Sequence, residues 1–547
     1  MLLDYTIEQT RIFDFVKTNT GNGIIDAVAG AGKTATIMEC AKFLPYQTDI
    51  LFCAFNTSIA NEIKEKFKRN GFSNFDVKTL HSLGRQLLVE NNKSRKEIAL
   101  KANKYILLLE SDLINEKTEL FYNSIIQRKR NKKNRDEVFD DISELKRIKI
   151  KLFDIIDKMR NTLTPENFTD FRDTVLHYNI FYDYEIDKVD FIADLKDYFE
   201  CVVLILDEGN RLAWEEMVID FTDMLYLPNK WNIYPRKQFG FMFIDECQDL
   251  SKSQLNLALR FKKVDGRILS VGDPKQSIYG FTGADINSFK NIEEHTNATK
   301  LELTSSFRCP QKVVNMAQMI RKDISSRKSD VGIVSEIKFE DVTKISINNS
   351  LIISRFKNPL YILALKFILE RREINMHDDE IKELSNDLKN LFLSSDLNTP
   401  ISRISDIESF LQNRVYTRIS QTIKVNAEFI SDRTEKEKYI SSELLLLNEK
   451  LKVLAMVIMK SVTEFKTIRE VIDNLKKYFS NNQDAIKLMS IHKSKGLEST
   501  DVFILDYDEL PYKRATHKDW EKEQELNLKY VAITRSLQNL YLVKALG

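Results

Sequence analysis

The stretch DAVAGAGKTATIMECAKFL, residues 26–44, sets two glycines, a lysine and a threonine between an apolar run and a helical pattern. Two readings fit it. In the plainer one, Gly30 and Gly32 supply the backbone freedom of a tight strand-to-helix turn and Lys33 is a solvated first-turn residue. In the other, the backbone N–H groups of Ala29, Gly30, Ala31 and Gly32 cradle an anion at a helix N-terminus, Lys33 reaches the β- and γ-phosphates, and Thr34 holds Mg²⁺. The general phosphate-loop pattern wants glycine where Ala27 stands, so the stretch departs from it by one residue and the rest of the chain must decide.

Short β-type runs recur along the chain: GIIDAV (23–28), DILFCAF (49–55), FGFMFID (239–245), RILSVGD (267–273), SLIISR (350–355) and DVFILD (501–506). Each is nearly continuous in apolar residues and leads into a polar or glycine turn, the pattern of parallel strands buried under helices on both faces. The fold class expected is α/β, with two such sheets. Residues 85–235 and 370–480, rich in Lys, Glu, Leu and Ile and poor in Gly and Pro, read as helical insertions. The expected division is 1–84 with 236–294 as a first core, 85–235 as its insertion, 295–369 with 481–547 as a second core, and 370–480 as the second, smaller insertion.

Composition narrows the class. Apolar residues make up 43% and charged residues 30% of 547, with only 15 Gly and 9 Pro, which favours a helix-rich globular chain over a sandwich or a disordered one. The 82 basic and 81 acidic residues leave a net charge of +1, so any nucleic-acid binding must come from local patches and stacking rather than a global field. Five cysteines without a CxxC pair read as reduced thiols with no zinc site. MLLDYTIEQT lacks the pattern of a secretory leader, and no apolar run is long enough to span a bilayer, so a cytoplasmic protein without membrane contact is expected.

Two further stretches carry chemistry. In FGFMFIDECQDL a buried strand ends in Asp245 and Glu246, where a phosphate-loop protein places a Mg²⁺-holding Asp and a carboxylate that activates water. A helix N-cap would explain one carboxylate but not the whole cluster. VGDPKQSIYGFTGAD again ends a strand in a polar turn, with Gln276 placed to sense a γ-phosphate and Tyr279 and Phe281 either stacking on unpaired bases or filling the core.

AVAGAGKT, DECQD, GDPKQSIYGFTGAD, LTSSFRCP, LMSIHKSKGLES and LKYVAITRS stand in the order and approximate spacing of the superfamily 1 helicase motifs. Across both cores the chain resembles the UvrD/Rep/PcrA family, whose phosphate loop regularly carries alanine at the position of Ala27. AFNTSIANEI, SFR and ELNLKYVAITR look closer to the F-box DNA helicase branch, although no F-box-like segment is expected ahead of the motor. The resemblance implies two RecA-like cores with two mainly helical insertions, ATP and Mg²⁺ as cofactors, and 3′ to 5′ translocation on single-stranded DNA with unwinding of tailed duplex DNA. The other function class it implies is a helicase-like ATPase subunit that senses DNA ends or single strands and regulates a partner such as a nuclease. With 12 residues beyond Arg535, no fused nuclease is expected.

By that resemblance Gln9 reads adenine, Lys33 and Thr34 serve phosphate and Mg²⁺, Asp245 holds Mg²⁺, and Glu246 is the catalytic base. Gln276 couples the γ-phosphate to the DNA path, Arg308 and Arg535 match arginine fingers, Phe307 replaces the usual Tyr that stacks on adenine, and Glu498 contacts the ribose. Phe55, Thr79, His81, Tyr279, Phe281, Arg355, Asn358 and His492 match positions lining the single-strand groove. Phe281 stands where UvrD has Trp, and Thr282 where Arg is common. RKRNKKNR, 128–135, carries six basic residues in eight and reads as a solvated loop of the first insertion or as a contact to duplex phosphates.

Overall fold

The computed structural model describes residues 5–69, 71–72, 74–92, 96–132, 140–181, 189–280, 283, 287–427, 432–513 and 518–546. The chain divides into two compact units, 1–27 with 32–303 and 28–31 with 304–547.

The first unit is built on a six-stranded parallel sheet. Its strands are β1 (Gly23–Ala27), β2 (Ile50–Ala54), β3 (Phe75–Thr79), β4 (Phe239–Ile244), β5 (Lys262–Gly272) and β6 (Thr299–Leu303), in the order β3-β2-β4-β5-β1-β6. The central strands are those with unbroken apolar runs, since both faces are covered and Ile24, Leu51, Met242, Ile244 and Ile268 meet in one core. Helix α1 (Ile7–Thr18) starts at a capping box between Thr6 and Gln9, α2 (Lys33–Cys40) follows the glycine loop, α3 (Thr57–Arg69) follows β2, and α4 (Leu80–Glu90) starts on the Thr79 cap. Strand β6 pairs with β1 from Gly23 opposite Thr299 to Ala27 opposite Leu303. The expected boundary after residue 294 is therefore too early: the edge strand TKLEL, half exposed and charged, completes the first sheet.

Between α4 and β4 lies a helical body that includes α5 (Asp112–Lys132), α6 (Asp141–Thr162), α7 (Val189–Glu216) and α8 (Asp223–Lys230). Its core joins Tyr105, Ile125, Ile148, Leu152, Tyr198 and Val202. The basic run is not a solvated loop where it is described. Arg128, Lys129 and Arg130 sit in the last turns of α5, Arg128 paired with Asp194 and Asp197, Lys129 with Glu144 and Arg130 with Asp141. Lys133, Asn134 and Arg135, and the side chain of Lys132, lie outside the described residues. Because Arg128 neutralises the buried Asp194, Arg128→Gln is expected to destabilise the protein by about 1–3 kcal/mol and to leave the salt dependence of any DNA binding unchanged. A thermal melt and a salt titration check this. Unchanged melting with a flattened salt slope would return the arginine to a phosphate-contacting role.

The second unit carries another six-stranded parallel sheet: β7 (Ile333–Ile337), β8 (Leu351–Ser354), β9 (Ile374–Asn375), β10 (Ile486–Ser490), β11 (Ser499–Leu505) and β12 (Ser536–Val543), in the order β7-β12-β11-β8-β10-β9. Helix α9 (Lys357–Leu369) is apolar on nearly every side, and it packs between the sheet and α11 (Arg433–Ser461), the long helix of a second helical body that also contains α10 (Asp378–Asn390). Helix α12 (Asp519–Ile533) precedes β12. Among the described residues no helix is long and apolar enough to cross a membrane.

Candidate nucleotide and nucleic-acid site

The loop after β1 turns through two residues of positive φ, Gly30 at 72° and Gly32 at 74°, and Gly32 forms the left-handed entry to α2. A side chain would strain both positions. This entry places Lys33 and Thr34 in the first turn of α2, where backbone N–H groups lack intrahelical partners. Facing them, β4 runs directly into Asp245, and Glu246 takes φ 52°, a left-handed turn with no glycine to ease it. The Glu246 N–H donates to Asp245 Oδ1 at 2.9 Å, which holds the two carboxylates on adjacent bearings.

The charges interlock. Lys33 Nζ lies 2.9 Å from Glu246 Oε1, and Thr34 Oγ1 donates to Asp245 Oδ2 at 2.8 Å. Burial by itself would lower the lysine, but Glu246, Asp273 and Asp245 together outweigh it and hold Lys33 above its ordinary value. Burial and the neighbouring Glu246 push Asp245 up, opposed by Lys33 and Thr34. A site with carboxylates crowded round one ammonium is arranged to receive further positive charge. A hydroxyl and a carboxylate oxygen within hydrogen-bond reach of each other are the hard oxygen donors that Mg²⁺ takes, so Thr34 and Asp245 fit that ion.

A polar chain runs on from this pair. Gln248 donates to Glu246 Oε2 at 2.6 Å, its carbonyl oxygen accepts from the Asp273 N–H at 2.9 Å, and Gln276 donates to Asp273 Oδ2 at 2.6 Å. Gly272 permits the approach of the two loops, since a Cβ there would come within 2.4 Å of Gln248 Oε1. Thus Lys33, Glu246, Gln248, Asp273 and Gln276 form one connected network, of which sequence reading picked out the first two and the last. Gln9 stands on another side, its carbonyl oxygen accepting from the Thr6 N–H at 3.0 Å and its amide donating to Thr36 Oγ1 on α2 at 3.0 Å.

Three residues beyond Gln276, Tyr279 faces Phe55. Their rings are nearly parallel, 19° apart in plane, with centroids 6.4 Å apart. That spacing approaches the roughly 7 Å that two ~3.5 Å carbon contacts would need on either side of a flat ring. The rings line a cavity of about 250 Å³ with His81, Asn161, Thr222 and Gln254. Phe55 is exposed and Tyr279 half-buried, so neither is a core residue. Thr79 has a structural task as the N-cap of α4, accepting from the Ser82 N–H at 3.2 Å. Phe281 lies outside the described residues.

At and beside this wall stand residues that no sequence motif marked. Phe221, half exposed, stands edge-on to His81 at 6.4 Å, and Thr222 Oγ1 donates to Asp157 at 3.0 Å. Both sit on a turn clamped by buried charges: Arg160 bonds Asp220 at 2.8 Å and Asp223 at 3.1 Å, while Lys104 bonds Asp223 at 2.6 Å. The guanidinium of Arg160 lies over the Tyr105 ring at 4.0 Å. The helical body thereby fixes one side of the aromatic slot.

In the second unit Arg308 Nε bonds Glu498 Oε2 at 2.5 Å, so two residues assigned to one nucleotide are found together. Phe307 is exposed. Arg535 is almost wholly buried, and its guanidinium donates to the carbonyls of Val531 at 2.9 Å and Leu497 at 3.1 Å. Arg355 donates to Glu525 at 3.0 Å, and the Asn358 carbonyl oxygen accepts from Lys450 at 2.5 Å. Both are engaged with protein groups.

Burial lowers His81, and burial followed by the charge of Arg355 lowers His492 to about 4, so both rings are neutral at pH 7. If they contact DNA, they do so by hydrogen bonding or stacking. His81→Ala or His492→Ala is therefore expected to weaken single-strand binding without altering its salt slope. A true phosphate contact would change that slope by about 0.7 per charge. A titration of affinity against salt at pH 7.5 distinguishes the two.

Several known proteins are similar to the chain. Over 326 residues the chain is 27% identical to the Gabija protein GajB of Bacillus cereus, covering 55% of this chain and 63% of that protein. It is 23% identical to the ATP-dependent DNA helicase PcrA of Bacillus subtilis, over 97% of this chain and 82% of the relative, and 22% identical to the ATP-dependent DNA helicase Rep of Buchnera aphidicola, over 60% and 65%. Residues 9–297, more than half the chain and the span that holds the phosphate loop, the acidic pair and Tyr279, match the UvrD/REP helicase N-terminal domain, and the chain belongs to the UvrD/REP helicase family.

Proposed function

We propose that the protein is an ATP-dependent translocase on single-stranded DNA and a 3′ to 5′ DNA helicase. The observation that carries this reading is the unbroken polar chain from Lys33 through Glu246, Gln248 and Asp273 to Gln276, which ends three residues from the Phe55–Tyr279 slot. A change in charge at one end has a hydrogen-bonded route to the other. Lys33 binds the phosphates, and Glu246 takes the proton of the attacking water. Thr34 and Asp245 would hold Mg²⁺, which when bound supplies charge to the phosphate oxygens. Gln9, held by Thr6 and Thr36, presents a fixed amide to adenine. Arg308 and Arg535 stabilise charge on the transferring phosphoryl group, with Phe307 against the base and Glu498 toward the ribose.

On the DNA side, Phe55 and Tyr279 receive a base between their faces. Tyr279→Ala is expected to weaken single-strand binding by about 1–3 kcal/mol, with a much smaller loss of stability than the ~3–5 kcal/mol of an aromatic deleted from a core. One titration and one melt check it. Strand displacement with 3′-tailed and 5′-tailed duplexes tests polarity: unwinding of the 3′-tailed substrate alone is expected, and preference for the 5′ tail contradicts it. A second reading, in which the ATPase is a subunit governing a partner such as a nuclease, is tested by co-purification from the native host. A stoichiometric second polypeptide supports it, and recovery of a lone chain with full strand displacement counts against it.

A further inference from the structure

The second unit holds a cavity of about 510 Å³ where the N-terminus of α9, α10, α11 and the turn after β11 come together. Its wall is aromatic and acidic. Phe356 and Tyr512 meet edge to face at 4.9 Å, and Tyr361 and Tyr439 add two more rings. Three lysines beside it are already satisfied: Lys357 pairs with Glu383 at 2.8 Å, Lys438 with Glu509 at 2.7 Å and Lys450 with Asp387 at 2.8 Å.

That leaves Asp506. It lines the cavity, is only 6% exposed, and among the described residues has no side-chain hydrogen bond or cationic partner. Burial, with Asp508 and Glu509 close by, pushes it up to about 7. A carboxylate so little exposed and without a counter-ion is costly. A second polar atom in the same wall is also unmatched: the hydroxyl of Tyr361, itself 3% exposed, has no partner among the described residues.

We propose that this cavity seats an arginine side chain presented by a partner protein. A guanidinium is planar, stacks on aromatic faces and brings five donors, which suits a wall of rings, an unpaired carboxylate, a tyrosine hydroxyl and the amides of Asn386 and Asn390. The excess of carboxylates at the wall repels phosphate, so a nucleic-acid strand does not fit. This site shares no residue with the ATP site or the Phe55–Tyr279 slot and does not depend on their assignment; Asn358, which the resemblance sets in the single-strand groove, is also a wall residue here, its carbonyl oxygen already accepting from Lys450.

The test uses the full chain at pH 8 and a fluorescent Gly-Ser-Arg-Ser-Gly peptide, with a second peptide carrying neutral citrulline in place of arginine. Anisotropy titrations are expected to give the arginine peptide at least a tenfold tighter Kd. Asp506→Asn, nearly isosteric, should remove that preference while ATPase activity stays at the wild-type level. Should Asp506→Asn fail to fold, Tyr361→Phe is the alternative: it removes only the unmatched hydroxyl, so melting should hold and arginine-peptide affinity should fall several-fold. Equal Kd values for the two peptides on the wild-type chain, or a preference that survives in the variant, overturn the proposal. So does a variant that alters binding of an oligo-dT strand instead of the peptide.

Discussion

Glu246→Gln is expected to reduce ATP turnover by about 10³ while ATP still binds, because it removes the base and one of the three carboxylates beside Lys33, leaving Asp273 and Asp245 to face the ammonium. The amide keeps the side-chain shape, and its oxygen can still accept from Gln248, which donates to Glu246 at 2.6 Å. Lys33→Ala should abolish turnover by a different route. Lys33 is the ammonium that Asp245, Glu246 and Asp273 share, and without it the anionic phosphates would approach three uncompensated carboxylates. Nucleotide binding itself is therefore lost. Equilibrium binding of a fluorescent ATP analogue, beside steady-state hydrolysis, separates the variants. Near-normal hydrolysis in Glu246→Gln would remove Glu246 from the role of base.

Arg308→Ala and Arg535→Ala are each expected to lower turnover by on the order of 10³, the scale of an arginine finger. Their side effects should differ. Arg308 pairs with Glu498, which is about half exposed, so its loss should leave melting near wild type. Arg535 is buried against the carbonyls of Val531 and Leu497; its truncation takes a donor from both, and while the Val531 carbonyl keeps the Thr534 hydroxyl as a donor at 3.2 Å, the loss at Leu497 costs about 1–3 kcal/mol where water cannot reach that oxygen. A fall in turnover of less than about tenfold, only ~1.4 kcal/mol, would make either arginine structural rather than catalytic.

Much of this was legible in the residues. The phosphate loop, the acidic pair and Gln276 are marked by strands whose apolar runs stop abruptly at a polar turn, because a parallel strand buried on both faces must be apolar until it reaches the edge where ligands bind. Strands exposed on one side carry no such run. Phe75–Thr79 and Thr299–Leu303 are edge strands that mix charge with apolar residues, and they were missed for that reason. So was the role of the first helical body. Nothing in the spacing of Arg160, Asp220 and Asp223 announces that they meet, since the first lies on a helix 60 residues before its partner Asp220. Their pairing is a product of tertiary packing, and it places Phe221 and Thr222 beside His81. In the basic run, charge density alone leaves a solvated loop and a phosphate contact both open; for Arg128, Lys129 and Arg130 the fold supplies Asp194, Asp197, Glu144 and Asp141 as partners, while the side chain of Lys132, together with Lys133 and Arg135, lies outside the described residues.

The central claim is that ATP hydrolysis at Glu246 answers to single-stranded DNA through the hydrogen-bonded chain ending near Tyr279. The direct measurement is the ATP hydrolysis rate of the full chain with and without an oligo-dT strand. A rise of tenfold or more in the wild type, absent in Glu246→Gln and needing a higher oligo-dT concentration in Tyr279→Ala, is expected; a wild-type rate that oligo-dT leaves unchanged would contradict the account.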